Sequence, residues 1–213
     1  MFLDRYDAGK QLANKLLKYK GKKTVVYAIP RGGALTALEV ARALEAPLDV
    51  VIARKIGHPF NKELAVCAIT EDGKRTCDEV GVCCVDSSWL ESETTLQLQE
   101  IKRQRQVFQG TAKLMSAKGK TAILVDDGIA TGLTIKAAVL AIQKQKPEKI
   151  IIAVPVAPRS VIEELMQQVD EVVVLRDEPD FKGDVSSCYI HFPEVIDAEV
   201  QLVLKHLKTK YNQ

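Results

Sequence analysis

Apolar runs rich in β-branched residues alternate with helical segments along this chain, and the alternation limits the folds open to it. The runs are TVVYAI at 24–29, LDVVIARK at 48–55, TAILV at 121–125, KIIIAVPVA at 149–157 and EVVVLR at 171–176. Segments with helical spacing follow at 34–46, 135–145 and 159–169. Strands that are apolar on both faces and joined through helices form parallel sheets covered on both sides. We therefore expect an α/β fold with an open, mostly parallel sheet and helices on both faces.

Three further segments surround this alternation. A first helix, which Asp4 can cap, precedes the first strand. The stretch at 64–86 contains two strand-like runs around an Asp72-Gly73 turn, which predicts a β-hairpin insertion. A long polar helix is expected at 88–109, ended by Gly110.

The domain organisation follows from the lack of any linker or repeat. We expect a single domain over residues 1–213, with its core at about 21–176. The last stretch, 177–213, lacks the strand–helix rhythm and ends in a helix near 193–208. Together with residues 1–20 it is expected to form a small hood over one edge of the sheet.

Composition excludes several classes of protein. Thirty Lys and Arg residues face 28 Asp and Glu residues, and aromatic residues make up 5% of the chain. A net charge of +2 with so few aromatics gives no basis for binding nucleic acid or an anionic membrane. No apolar run reaches the roughly 18 residues of a membrane span, and the start MFLDRYDAGK does not resemble a signal peptide. A cytoplasmic location is expected.

The five cysteines are odd in number. In a cytoplasmic protein this predicts reduced or buried thiols and no disulfide framework. Cys83 and Cys84 are expected in a strand of the hairpin, as packing residues. Cysteines and the three histidines lack zinc-type spacing, so we expect no metal site built by the protein.

The string ILVDDGIATGLT at 123–134 carries the strongest functional signal. A buried strand ends there in Asp126 and Asp127, and a loop of small and hydroxyl residues runs into a helix. Ligands bind at such strand ends in open α/β sheets. An ordinary strand–turn–helix would explain the Asp-Asp-Gly step alone, but it explains the whole string poorly.

The loop itself is suited to a phosphate. Backbone N–H groups from Thr131 to Thr134 are expected to point outward, with the positive end of the helix dipole behind them. The two threonine hydroxyls add donors, and Gly128 and Gly132 allow the backbone to approach a ligand closely.

Two basic segments follow other strands. Arg31 stands beside Gly32 and Gly33 after the first strand, a combination that suits pyrophosphate because arginine bonds its oxygens and glycine admits close contact. Lys55 ends the second apolar run and is expected at the same edge of the parallel sheet, whereas Arg54 should point to the opposite face. Each segment alone is also compatible with an ordinary turn.

The string at 123–134 resembles the binding signature for 5-phosphoribosyl 1-diphosphate (PRPP) in type I phosphoribosyltransferases. The resemblance implies that Asp126 and Asp127 contact the ribose hydroxyls and serve catalysis. It implies that the 5′-phosphate is bound by the loop residues Gly128, Ala130, Thr131, Gly132, Leu133 and Thr134. It also implies that pyrophosphate is bound by Arg31, Gly32, Gly33 and Lys55.

Other segments resemble one subgroup of this family, whose base acceptor is not established. They are DRYDAGKQLA, RKIGHPFNKELAVCAI, AVPVAP, VDEVVVL and FPEVIDAEV. The chain departs from the subgroup at 184–186, where Asp-Val-Ser replaces Ala-Val-Gly, and this puts the identity of the acceptor in doubt. The resemblance implies a homodimer. Basic residues at 102–105 either reach the diphosphate of a neighbouring subunit or form a solvated helix face, and the latter is favoured.

The activity implied is a Mg²⁺-dependent transfer of the phosphoribosyl group from PRPP to a nitrogenous base, with Mg²⁺ held mainly by PRPP and water. Two other interpretations stay open. One is a regulatory protein on the same fold that senses PRPP without catalysis. The other is a flavodoxin-like binder of phosphate groups, which explains the glycine-rich loop but not the Asp pair.

Overall fold

The computed structural model describes residues 1–109, 114–178 and 184–211. Within these ranges the chain forms eight β-strands and seven α-helices. The strands are β1 Thr24–Ala28, β2 Leu48–Val50, β3 Ala53–His58, β4 Asn61–Thr70, β5 Arg75–Cys77, β6 Thr121–Val125, β7 Lys149–Pro158 and β8 Glu171–Glu178. The helices are α1 Arg5–Leu16, α2 Gly33–Leu44, α3 Glu79–Val82, α4 Ser87–Gln109, α5 Leu133–Gln143, α6 Arg159–Met166 and α7 Asp197–Tyr211. Among the described residues no helix is both long and apolar enough to cross a membrane.

The main sheet has five parallel strands in the order β2-β1-β6-β7-β8. Successive residues of β1 face opposite cores: Val26 packs with α1, α2, α4 and α7, whereas Val25 and Tyr27 pack with α5 and α6. Every residue of β1 and of β6 is buried. The predicted α/β fold with helices on both faces is therefore confirmed.

The apolar run at 48–55 is not one parallel strand, and this prediction was wrong. Strand β2 ends at Val50, and Ala53 begins β3, which pairs antiparallel with β4 in a second sheet of order β3-β4-β5. Residues 50–53 are buried throughout, so the hydrophobic pattern shows no break where the chain changes sheets.

The hairpin is confirmed, but its second half differs from the prediction. Gly73 turns the chain at φ +77°, where its N–H donates to the Thr70 carbonyl, and β5 then ends at Cys77. The Asp78 side chain accepts from the Gly81 N–H and starts the short helix α3, because a capping carboxylate favours a helix over a continued strand.

Three cysteines are free as expected, and Cys188 is buried, but two other expectations for the cysteines were wrong. Cys83 and Cys84 follow α3 and are exposed, not packed in a strand. Cys67 and Cys77 lie directly opposite each other on β4 and β5 and are joined by a disulfide. Counting cysteines gives no information about strand register, which here brings two of them face to face.

The two ends of the described chain meet beside the main sheet. Phe2 donates its N–H to the Cys188 carbonyl and accepts from the Ile190 N–H, which makes a parallel bridge to Tyr189. Phe2 and Tyr189 bury their rings against Val156 of β7. The Asp4 side chain caps helix α1 by accepting from the Asp7 N–H, and α7 begins at 197 rather than near 193. Gly110 lies outside the described residues.

Gly9 in α1 provides a test of this packing. A methyl group at Gly9 would lie 2.6 Å from the Thr36 carbonyl of α2. Replacing glycine by alanine in a helix normally adds about 1 kcal/mol of stability, but overpacking costs roughly 1–3 kcal/mol. We expect Gly9→Ala to lower the free energy of unfolding by about 1 kcal/mol in denaturant titrations. Asn14→Ala, at an exposed position of the same helix, is the control, and equal stabilisation by both changes would contradict the packing.

Candidate active site

The site lies at the carboxyl ends of β1 and β6, where the order of the strands reverses. From β1 the chain moves to one side for β2 and then returns to the other side for β6. The two ends are held together because the Ile29 N–H donates to the Val125 carbonyl at 2.9 Å. Ligands of open α/β sheets bind at such a switch point. The loops that follow these strands are 30–33 and 126–132.

These two loops touch each other through glycine. A methyl group at Gly32 would lie 1.8 Å from Oδ2 of Asp127, and one at Gly33 would lie 2.9 Å from the Cα of Asp126. Any side chain at Gly32 would therefore displace the carboxylate. The Pro30–Arg31 peptide bond in this loop is cis. The structure brings two motifs about ninety residues apart in sequence into direct contact.

A cleft of about 520 Å³ opens beside the acidic pair. Its polar wall contains Asp126 and the loop residues Gly128, Ala130, Thr131, Gly132 and Thr134. Its other walls are formed by Lys55, Ala65, Ile129, Ile135, Pro158, Ser160, Val161 and Val185. Ligand sites of this size combine apolar walls with a few convergent polar groups. Leu133, also predicted in the loop, is the first residue of α5 and is buried.

The start of α5 is open to an anion. Gly132 precedes the helix at φ +78°, and no side chain caps it. The first backbone bond of the helix runs from the Lys136 N–H to the Gly132 carbonyl. The amides of 133–135 precede the first intrahelical donor, so they are free to bind an anion and carry the positive end of the helix dipole. The sequence predicted such amides one or two residues earlier, at 131–134.

The predicted cations lie in different places. Lys55 reaches the cleft from β3 of the antiparallel sheet, so the prediction of a parallel-strand end was wrong while its position beside the loop stands. Arg54 points the other way and donates to Gln97 of α4 at 2.6 Å. Arg31 lies outside the lining of the cleft and pairs with Glu194 at 2.6 Å.

The two acidic side chains lie in different surroundings. Asp126 faces the cleft, whereas Asp127 faces Arg5, whose Nε lies 2.6 Å from Oδ2. Burial, and next the negative charge of Asp127, raise the pKa of Asp126 well above its ordinary value. The Asp127 N–H opposes this by donating to Asp126 Oδ1 at 2.9 Å. Asp126 therefore keeps its proton to a higher pH than an ordinary aspartic acid does.

Sequence reasoning missed two residues at this site. Arg5 forms the ion pair with Asp127, and Tyr189 donates its hydroxyl to the Asp127 carbonyl at 2.5 Å. The one signal for Arg5 was its place in the first turn of α1, where the helix dipole disfavours a cation. Nothing in the sequence pattern linked Tyr189 to a strand end some sixty residues earlier.

Arg103 and Arg105 of α4 are engaged with other parts of the chain. Arg103 pairs with Glu100 and with Asp197 of α7. Arg105 is largely buried and contacts Glu71 at 2.6 Å. Arg103, half exposed and paired three residues away, fits the predicted solvated helix face, whereas the buried Arg105 does not.

The carboxylates fit a magnesium ion that a ligand brings. Among the described residues no cluster of three or more histidines, cysteines or acids could hold a metal. Magnesium commonly binds one or two carboxylates and completes its shell with substrate phosphates and water. Asp126, at the cleft, is suited to that part, because a bound cation would favour its charged form.

The raised pKa of Asp126 predicts a pH-dependent effect on stability. The folded state holds its proton at pH values where the unfolded carboxyl, with a pKa of about 3.9, has lost it. The free energy of unfolding therefore falls as the pH rises through this window. Asp126→Asn removes this fall, because asparagine does not ionise. We expect the variant to melt a few degrees above the wild type at pH 8 and at the same temperature near pH 3.5, by calorimetry. Glu148→Gln at an exposed position is the control, and a pH-independent difference would contradict the assignment.

Comparison with known proteins agrees with this geometry. The family model described as "Phosphoribosyl transferase domain" matches residues 3–190. Two Mycobacterium tuberculosis proteins, from strains CDC 1551 and H37Rv, are 40% identical over 202 residues, and both are named "Putative phosphoribosyl transferase". The match covers 94% of this chain but 45% of theirs, so the chain spans about half the length of these relatives.

A solved structure is similar over nearly the whole chain. The crystal structure of TT1426 from Thermus thermophilus has 37% sequence identity and a TM-score of 0.77, and the match covers 97% of this chain and 98% of that one. With a family match over residues 3–190, and with the acidic loop and the glycine loop in contact at the switch point, the chain belongs to the phosphoribosyl transferase domain family.

Proposed function

We propose that the protein transfers a 5-phosphoribosyl group from PRPP to a nitrogenous base and releases pyrophosphate, with Mg²⁺ required. One observation carries the proposal: the Gly32-Gly33 backbone lies against the acidic pair. PRPP carries its diphosphate on C1, next to the ribose hydroxyls. A site for it must hold carboxylates and a diphosphate loop side by side.

The contacts suggest one orientation for PRPP. Its 5′-phosphate fits the amides of 133–135 at the start of α5, with the Thr131 and Thr134 hydroxyls beside them. Its ribose hydroxyls would donate to Asp126 and to Asp127. Its diphosphate would then lie towards the glycine loop and within the field of Lys55.

Arg31 takes part in this proposal only if its side chain changes partner. It pairs with Glu194, whose side chain is 78% exposed, and an exposed pair of this kind is weak. The diphosphate would compete with Glu194 for the guanidinium, because it carries a larger charge and can accept bidentate hydrogen bonds from arginine. Exchange of Glu194 for the diphosphate is therefore favourable.

The chemistry breaks the bond between C1 and the diphosphate oxygen and forms a bond from C1 to the base nitrogen. The bonding pair leaves with pyrophosphate, and positive charge develops on the ribose. Ionised Asp126 and Asp127 stabilise that charge, whereas Lys55 and the Gly32-Gly33 amides stabilise the leaving group. A magnesium ion bound with PRPP would supply further neutralisation of the diphosphate charge. The base then loses a proton to solvent or to a neighbouring carboxylate.

The cleft has an apolar wall on the side of the C-terminal segment. Val185 lines it and faces Gly128, where a methyl group would lie 2.4 Å from the valine Cγ1. This wall suits the flat face of a base but does not distinguish purines from pyrimidines. A homodimer, which the family resemblance implies, and a cytoplasmic location remain part of the proposal.

Calorimetric titration of PRPP with and without Mg²⁺ tests the donor site. We expect binding that requires Mg²⁺, weakened at least about tenfold in Asp126→Asn because the ribose and the metal lose a charged acceptor. Lys55→Met should weaken binding of both PRPP and pyrophosphate by roughly tenfold, since it removes the cation beside the diphosphate. Lys118→Met, at an exposed position away from the cleft, is the matched control.

Release of pyrophosphate across a panel of bases then separates an enzyme from a sensor. Release with one class of base, lost in Asp126→Asn, supports the transferase. Mg²⁺-dependent binding of PRPP without release for any base would support a regulatory protein instead. Absence of PRPP binding to the wild type would contradict both.

A further inference from the structure

We propose that Arg5 is a positioning residue that fixes the Asp127 carboxylate against the glycine loop for binding of PRPP. The inference rests on the proposed function and adds to it a residue from outside the strand-end loops. Arg5 is the first residue of α1 and lies 122 positions before Asp127 in sequence.

The ion pair is both short and enclosed. Nε of Arg5 lies 2.6 Å from Oδ2 of Asp127, and the two side chains are 7% and 15% exposed. At such burial a charge pair is screened little by water or salt, so it keeps its orientation. The pair also lies against the glycine loop, because a methyl group at Gly32 would contact Oδ2 of Asp127 and would lie 2.9 Å from Nε of Arg5.

Arg5 is itself held from the other side by the C-terminal segment. Its Nη1 donates to the Pro193 carbonyl at 2.8 Å, and its guanidinium carbon lies 3.6 Å from the centre of the Phe192 ring. The Phe192 ring packs on Tyr189 at 4.8 Å between centroids. Tyr189 in turn donates its hydroxyl to the Asp127 carbonyl. Both the side chain and the backbone of Asp127 are thus fixed by one connected group of residues.

This arrangement is better suited to positioning than to general stability. Buried ion pairs often add little net stability, because desolvation offsets their attraction. A cation in the first turn of α1 also opposes the helix dipole. A carboxylate can accept about four hydrogen bonds, so the contact with Nε leaves Asp127 able to accept from ribose hydroxyls. Groups that orient a binding residue in this way commonly contribute roughly 10–100-fold to affinity in metal sites.

A double-mutant cycle on PRPP binding tests the inference, with Arg5→Met, Asp127→Asn and the combined variant titrated by calorimetry in the presence of Mg²⁺. We expect Arg5→Met to weaken PRPP binding by about tenfold and Asp127→Asn by at least as much. If Arg5 acts through Asp127, the combined variant binds within about twofold of Asp127→Asn alone. Arg5→Lys, which keeps the charge, should recover part of the affinity.

Controls separate positioning from loss of fold. Arg42→Met removes an arginine paired with Glu39 at 2.9 Å, away from the cleft, and should leave PRPP binding unchanged. Circular dichroism and melting temperature verify folding, and the combined variant removes both charges, so it leaves no unpaired one. If Arg5→Met does not fold, two comparisons still test the inference. One compares Asp127→Asn with the combined variant, and the other compares Arg5→Lys with the wild type.

Three outcomes overturn the inference. Wild-type affinity in a folded Arg5→Met variant would show that Arg5 does not position Asp127, while the proposed function stands. Losses that add in the combined variant would show that Arg5 acts independently of Asp127. Absence of PRPP binding to the wild type would overturn the proposed function and the inference with it.

Discussion

Two neighbouring carboxylates at the end of a buried strand impose the main constraint on this molecule. Asp126 lies where the surrounding protein favours uncharged groups, and the negative charge of Asp127 makes it harder to ionise. Much of the nearby structure compensates for this. Arg5 supplies a counter-charge, a backbone N–H bonds Asp126, and the glycine loop leaves space for both side chains. The cleft, the helix start and the hood contacts are all arranged around the pair.

Most of the main sheet was predictable because its signals are local. An unbroken apolar run such as 121–125 can be stable only when both faces are covered, and the following helix has the spacing that covers one of them. The loop at 126–134 was predictable for the same reason, since a strand end, small residues and a helix start stand next to each other in sequence. The start of the helix differed by two residues, as element boundaries commonly do.

The parts that sequence could not predict depend on contacts between distant segments. The run at 48–55 changes sheets inside a buried stretch, so its hydrophobic pattern contains no sign of the bend. The disulfide depends on the register of β4 and β5, and Arg5 depends on where α1 packs. Lys55 lies beside the cleft although the reasoning that put it there assumed the wrong sheet. Arg31 follows the predicted strand but pairs with Glu194, and no local rule indicates that partner.

The meeting of the two chain ends has a consequence for the order in which the site is completed. Arg5 and Asp127 are synthesised before Tyr189, Phe192 and Pro193, and Arg5 and Pro193 are 188 positions apart. Closing so long a loop is entropically costly and slow compared with forming the local strand–helix units. During synthesis the sheet can therefore assemble while the acidic pair still lacks the segment that holds its counter-charge in place. The ligand site is thus completed only after the chain has reached Pro193, later in synthesis than the strands that support it.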